Sequence, residues 1–506
     1  MTASVQQRFV FTLGSNVFRG LLSFTTGMLL ARWLGPEAYG MMAFLLGTFL
    51  GVRQLTNMGT SAAFFTFLSQ QPRSKAFVRA FFSWLALQFI LPAAAIGLLF
   101  PVRWIEAIWD GQPRSLVLLA FAAVFMQNSL WPVVQQAAEA QRRTLWVQSI
   151  GVLVGAAHLA AVVLLWSLGV LGLYAIFIAV AIEFFLAAFV AHSRLSYATS
   201  QRDSPEAGPA AALRMYIHYC LPLVPYSVFG FAYQFADRWL LQSFGGGVEQ
   251  AYYSVGAQFS RVALIATTAI LRIFWKEIAE ASHEGDYARM GRLYRKVTRL
   301  LFFVGAGIVG FLMPWATDLL DLMLGAEYVG GATTLMIMFL YPVHQSIGQI
   351  NGTLLMATER VKVHVLVGTA FMACSIAVTY LVLAPPDALV PGLGLASQGL
   401  ALKMVMMQFI QVNIVMYIIA RIWHWSFDWL FQPIALFGCI GLGWVVHEVG
   451  LRLIAVDLTL PLKMGLVGIV YLCLLVGFLY AVPWVAGFTR EELMTSARTI
   501  WPGSKH

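Results

Sequence analysis

Charge is what this chain has least of. Asp, Glu, Lys and Arg make up 11% of its 506 residues, against 60% hydrophobic residues. A soluble fold of this size needs far more charge to cover its surface, so that class is excluded. Cysteine is scarce too. Cys220, Cys374, Cys439 and Cys473 sit in or beside apolar stretches and none forms a CxxC pair, which argues against a disulfide framework and a zinc site. GxSxG, P-loop and HExxH patterns are missing, and the histidines do not pair with cysteines or acids at ligand spacing. Long polar insertions are also lacking. The longest stretch expected on the outer side, around 101–114, is too short for a catalytic domain, so the expectation is a protein that is not an enzyme. No cleavable signal is read at the N-terminus, because the first apolar segment is long and contains Asn16 and Arg19.

What is present is apolar length. Mean hydropathy is +0.77. Uninterrupted runs of about 20 residues fit helices crossing a hydrocarbon core about 30 Å thick at 1.5 Å per residue, rather than the short alternating strands of a barrel. The sequence predicts an all-α polytopic membrane protein of about 14 transmembrane helices, at 9–31, 40–67, 79–100, 116–138, 146–167, 171–193, 215–243, 251–275, 298–318, 331–356, 363–384, 394–420, 431–450 and 462–486.

The net charge of +9 is loop charge that orients the chain, and no nucleic-acid partner is expected. With the N-terminus in the cytoplasm, inner segments carry about 21 Lys and Arg and outer loops about five, which supports cytoplasmic N- and C-termini. The inner stretch 276–299, with acids before bases, reads as an amphipathic surface helix that anchors to membrane lipids.

One polar hinge organises the rest. In Leu29–Gly40 (LLARWLGPEAYG), Gly35-Pro36 breaks the first span from the second, with Trp33 and Tyr39 suited to the interface. A looser echo lies about 215 residues later, at 240–256. A second pair, AEAQRRTLWVQSIGVLVG from Ala138 and ATERVKVHVLVGTAF from Ala357, repeats at nearly the same offset. Two pairs at one spacing predict a parallel repeat of six-helix bundles around a central cavity. The expected division is an N-terminal lobe at 1–200, a cytoplasmic linker at 201–214 (QRDSPEAGP at its start), a C-terminal lobe at 215–421, and two extra C-terminal helices with a tail at 422–506.

LARWLGPEAYG, Asp237-Arg238 followed by Tyr253-Ser254-Val255-Gly256, and LGAEYVGGA at 324–332, in that order and spacing, resemble the polysaccharide transporter family. These are Wzx-like oligosaccharide flippases of the multidrug/oligosaccharidyl-lipid/polysaccharide (MOP) superfamily. The resemblance implies two six-helix bundles, often with two further helices, and undecaprenyl-diphosphate-linked oligosaccharide as cargo. It also implies alternating access in the bacterial inner membrane for surface polysaccharide synthesis, whether exopolysaccharide, O-antigen or capsule. H+ or Na+ coupling is a family-level expectation, with no other cofactor and no metal. A polysaccharide polymerase and chain-length or export proteins are the expected protein partners. A lipid II flippase, a multidrug/cation antiporter and a membrane polymerase or ligase are the alternatives.

Ionisable groups inside a bilayer are costly and face a cavity or a partner. Arg19, Arg53, Arg261 and Lys403, with Asn16 one turn from Arg19, predict a cationic, substrate-binding cavity that fits a diphosphate. Arg272 shares a face with Arg261 nearer the cytoplasm. Glu183, Asp237 and Arg238 are read as ion-coupling or structurally paired groups; Glu183 is a candidate partner for Arg19, and adjacent Asp237 and Arg238 point about 100° apart. Gln127 and Asn128 before Trp131-Pro132, and His344 and Gln345 after Tyr341-Pro342, mark polar bends suited to gating.

Overall fold

A computed structural model describes residues 5–71, 73, 75–195, 209–265, 267–453 and 458–493. Every regular element among them is a helix. The chain runs α1 (Val5–Asn57), α2 (Thr60–Gln70), α3 (Lys75–Ala94), α4 (Val102–Ile108), α5 (Arg114–Phe125), α6 (Trp131–Ala140), α7 (Thr144–Ser167) and α8 (Leu173–Ser193). It continues with α9 (Pro209–Cys220), α10 (Val224–Ile265), α11 (Thr267–His283), α12 (Tyr287–Leu312), α13 (Ala316–Leu324), α14 (Ala332–Phe339), α15 (Tyr341–Ala357), α16 (Val361–Leu383), α17 (Ala396–Ile422), α18 (Phe431–Leu453) and α19 (Leu460–Ala481). The protein is therefore an all-α, multi-pass membrane protein. Most of the linker expected at 201–214, the C-terminal tail beyond 493 and the side chain of Arg272 lie outside the described residues.

Among the described residues nine helical stretches are long and apolar enough to cross a membrane, and each coincides with one of the predicted spans. The five remaining predicted spans fall on α1–α2, α9–α11 and α14–α15. These are the helices with the kinks and much of the intramembrane charge: Arg19 and Arg53, Asp237, Arg238 and Arg261. The count falls short there because polar residues dilute the hydropathy and glycines or prolines interrupt the helices.

By proximity of Cα positions the chain groups into two compact units, Met1–Ser254 with Met372–Leu400, and Val255–Phe371 with Ala401–His506. In the first, α1 is two helices joined at Gly35 (φ 74°, ψ 168°) and α10 is two helices joined at Gly246 (φ 76°, ψ −174°). Both glycines adopt a backbone that an L side chain disfavours. The hinge and its echo thus share one local conformation. Leu221–Leu223, holding Pro222, is a 3-10 turn between α9 and α10. A π-helical stretch, Met126–Leu130, precedes Trp131-Pro132, and a break at Leu340 precedes Tyr341-Pro342.

Two seams hold this unit. Helices α1 and α7 run parallel, with Arg19 against Gly151, Leu22 against Gly155 and Trp33 stacked on Trp166 at 4.5 Å. Glycines at 151 and 155, four apart on one face, admit that approach. The second half of α1 runs antiparallel to the first half of α10. A Cβ on Gly40 would lie 1.8 Å from the Gly247 oxygen, one on Gly47 2.8 Å from Arg238 Cγ, and Gly51 faces Phe231 and Phe235. Positions 40, 47 and 51 share one helical face, so backbone meets backbone at Gly40 and Gly51 and the Arg238 side chain fits over Gly47, where lipid offers no hydrophobic drive.

In the second unit, Phe274, Ile278, Tyr294, Ile350, Leu354 and Ile419 form a core among α11, α12, α15 and α17. The two extra C-terminal helices are docked rather than peripheral. Gly443 of α18 meets the Gly310 backbone of α12, and the Tyr471 hydroxyl of α19 donates to Gly307 O at 2.8 Å.

Candidate functional site

In the first unit the polar side chains divide by whether they have partners. Arg19 donates from Nη2 to Asn16 Oδ1 at 2.6 Å, one turn earlier on α1, and its guanidinium lies on Gly151. Glu139 of α6 acts on Arg19 electrostatically, and Gln148 of α7 donates to Glu139 Oε1 at 2.8 Å. Arg19 therefore belongs to a polar network spanning α1, α6 and α7. Glu183 does not join it. The ring Nδ1 of His158 on α7 lies 2.8 Å from Glu183 Oε2 on α8, so the partner of Glu183 is a histidine rather than Arg19.

Arg53 is different. Its guanidinium makes no hydrogen bond or ion pair with the described residues, and its Nε is buried. Neighbouring Gln54 fills the space over Gly230 of α10, so the helix surface beside Arg53 is taken by a neutral side chain. Asn57, four residues on, accepts from Thr60 Oγ1 and from the Ser61 amide and hydroxyl, which ties the start of α2 across the break at Met58-Gly59. Neither Gln54 nor Asn57, the polar neighbours on its own helix, carries a charge that could neutralise Arg53. An unmatched cation in a membrane helix is expensive unless an anion joins it.

Asp237 and Arg238 brace different neighbours, as their angular separation requires. Asp237 accepts from Thr379 Oγ1 of α16 at 2.7 Å. Arg238 donates to Ser254 Oγ at 2.9 Å, lies over the Tyr253 ring at 5.0 Å, and packs on Gly47. Two further contacts secure this end of α10. Gln242 donates to Asp110 Oδ2 at 2.8 Å, and Glu249 accepts from the backbone N and hydroxyl of Ser397. The latter is a cap, since α17 begins at Ala396 and its first amides have no intrahelical acceptor.

The model of the family described as Polysaccharide biosynthesis protein matches residues 5–274. The chain belongs to that family. The match contains the hinge, its echo, Arg19, Arg53 and the Asp237-Arg238 pair, and it bears out the resemblance read from those motifs. No curated protein matches the chain in sequence. Among solved structures it is similar to the lipid II flippase MurJ in an inward closed conformation, at 13% identity over 93% of this chain and 99% of that one, with a TM-score of 0.71. An inward-facing multidrug resistance MATE family transporter of the MOP superfamily gives 12% identity, 82% and 97% coverage, and 0.61. A MOP superfamily transporter from Pyrococcus furiosus, described as having a binding pocket of reverse polarity, gives 14%, 83%, 96% and 0.52. At these identities the likeness is one of fold.

In the second unit of this family member, the predicted residues fall in contrasting settings. Arg261 is exposed. Lys403 is buried, at 2% exposure. His344 is buried between the rings of Phe302 and Phe409, and Gln345 is half-buried near Gly348. Back in the first unit, Gln127 and Asn128 lie on the π-helical stretch, with Asn128 donating to Gln127 at 3.3 Å. That irregular turn frees backbone groups, which is a device common at functional sites. Among the described residues no group of three acidic, histidine or cysteine side chains could hold a metal.

Sequence reasoning missed His158, Glu139 and Gln148. Their partners lie on other helices, and nothing in local spacing announces such pairs. The Gly151–Gly155 face was the one legible signal that α7 packs closely against another helix.

Proposed function

We propose that this protein is a flippase that moves undecaprenyl-diphosphate-linked oligosaccharide repeat units across the bacterial inner membrane by alternating access. It would supply exopolysaccharide, O-antigen or capsule synthesis, with both termini in the cytoplasm. The observation that carries the reading is Arg53, a half-buried guanidinium without a counter-ion among the described residues, in a membrane helix of a polysaccharide biosynthesis family member. Arg19 supports it as a second cation, since Glu139, the acid that acts on it, is also engaged by Gln148. A diphosphate crossing a low-dielectric region needs such groups, and arginine can meet it with paired charge-assisted hydrogen bonds. The His158–Glu183 pair is the candidate for H+ coupling, because an acid and an imidazole in contact within a membrane helix pair can share one proton. A polymerase and chain-length proteins would consume the exported units.

The test is reconstitution of the purified protein with a fluorescent polyprenyl-diphosphate oligosaccharide, beside a deletion strain. Protein-dependent flipping, and cytoplasm-facing lipid-linked units in the deletion, are expected. Already flipped single units in the deletion would instead indicate a polymerase or ligase. Flipping confined to lipid II would move the chain to the lipid II reading that the fold likeness also allows.

A further inference from the structure

The first unit contains a cavity of about 250 Å³ walled by α2, α3 and α9 and by residues at the breaks beside them. Its walls are almost wholly apolar and include Met58, Phe81, Trp84, Tyr216, Ile217 and Leu221. Apolar cavities of about 150 Å³ stay dry and take up apolar ligands, so this one suits hydrocarbon better than water. Leu213, Ile217 and Leu221 recur every four residues, are each more than half exposed and belong to the wall. The mouth therefore opens on an apolar stripe that α9 turns to the membrane.

The polar groups of the wall say what kind of hydrocarbon fits. Thr60 is already engaged: its hydroxyl donates to the Asn57 carbonyl at 2.7 Å and accepts from Gln88 Nε2 at 3.3 Å. The Trp84 indole N–H is not. It is buried and has no acceptor among the described residues. An indole can only donate, and leaving that donor unmet in apolar surroundings is costly. A bare hydrocarbon chain cannot meet it, whereas a carbonyl at the head of such a chain can. Cations stand on the same two helices. Arg79 adjoins the wall residue Ala80 on α3, and Arg214 adjoins the wall residue Leu213 on α9. Both are exposed and make no hydrogen bond or ion pair with the described residues. Arg79 comes five residues before Trp84, about 7.5 Å along the helix, and Arg214 comes seven before Leu221, about 10 Å. Along α3 the order is thus cation, N–H donor, apolar wall. Phosphate, ester carbonyl and acyl chain follow one another in that order in a glycerophospholipid. We propose that the cavity among α2, α3 and α9 seats one acyl chain of a membrane glycerophospholipid, with its ester carbonyl on the Trp84 N–H and its phosphate at Arg79 and Arg214. This does not depend on the identity of the cargo. A polyprenyl phosphate, which has no carbonyl, is the competing occupant.

The experiment places the full chain in nanodiscs of ether-linked phosphatidylcholine, which offers no carbonyl. The probe is a phosphatidylglycerol with a diazirine early on one ester-linked chain, paired with an ether-linked version of the same molecule, and adducts are mapped by mass spectrometry. Adducts at Phe81, Trp84 and Ile217 are expected, about fivefold more with the ester probe than with the ether probe, the worth of one hydrogen bond. Trp84→Phe keeps most of the packing and removes the donor. It should lower ester labelling at Phe81 and Ile217 to the ether level and leave ether labelling there unchanged. Ala80→Trp, which fills the cavity, and Ile217→Trp, which narrows the mouth from the lipid side, should each lower labelling at Phe81 about tenfold. Arg79→Gln combined with Arg214→Gln should lower labelling by both probes. Equal labelling by the two probes in the unaltered protein would overturn the proposal, as would adducts spread along the lipid-facing helices that ignore both cavity-blocking substitutions. Displacement of the ester probe by an equal amount of polyprenyl phosphate would overturn it in favour of the competing occupant.

Discussion

The antiparallel pair formed by the second half of α1 and the first half of α10 is sealed at one end and loose at the other. At the Gly40 end, backbone touches backbone and the polar side chains are matched: Arg238 by Ser254 and Tyr253, Asp237 by Thr379, Gln242 by Asp110, Glu249 by Ser397. Toward the Arg53 end both helices break, at Met58-Gly59 and at Leu221–Leu223, and the Arg53 guanidinium has no partner among the described residues. Both ends carry glycine and charge, so composition does not separate them. Neutralisation does. Matched charges and close glycines build a joint, whereas a cation without a partner among the described residues is available to a ligand.

Breaking the joint should have the largest effect. Gly40→Val places side-chain atoms inside the Gly247 backbone and should cost more than about 3 kcal/mol, read as a collapse of the thermal transition in detergent. Arg53→Ala should act in the opposite register. It should lower export or reconstituted flipping about 10- to 100-fold, the loss of about 1.5–3 kcal/mol of charge-assisted hydrogen bonding to the cargo, while the melting temperature stays within error of wild type. An Arg53→Ala protein that unfolds early yet flips normally would reverse the comparison. Arg238→Ala should show the joint pattern, a stability loss of about 2 kcal/mol, with flipping per folded molecule retained. Glu249→Ala removes the cap on α17 and should cost about 1 kcal/mol by the same thermal measurement.

The smallest effect concerns a contact remote from both ends. Lys296 donates to Glu492 at 2.8 Å, and this hydrogen bond, with those from Thr489, holds the Glu492 carboxyl below the usual carboxylate range. A carboxyl lowered in the folded state stabilises above its unfolded pKa and loses that contribution as pH falls through the lowered value. The tether should therefore persist at neutral pH and release in acid below the ordinary glutamate range. Limited proteolysis after Ala486 at decreasing pH should show this as a rise in cleavage, and Glu492→Gln should show the raised cleavage already at pH 7.

Much of the architecture was legible because membranes constrain sequences strongly. Nine of the expected spans recur as long apolar helices, and the breaks at Gly35, Pro132 and Pro342 fall where the chain chemistry put them. The cationic residues were legible as costly, and the different partners of Asp237 and Arg238 follow from their angular separation. The state of each charge was not. Arg19, Arg53 and Lys403 look alike in sequence, yet one sits in a network, one has no partner among the described residues and one is buried. Glu183 was visible, but its histidine partner lies 25 residues away on a neighbouring helix.

By itself the sequence determined the solvent this protein lives in, the helices that cross it, the bends between them and the family. Each depends on local composition and on backbone rules that act within a few residues. Only the tertiary structure decided which charges are spent on holding the fold and which remain for a ligand. Their partners come from 132 to 148 residues away, as with Gln242 and Asp110, Asp237 and Thr379, or Glu249 and Ser397. Hydrogen bonds of that range carry no periodicity along the chain, because packing between helices and not the spacing within one sets them.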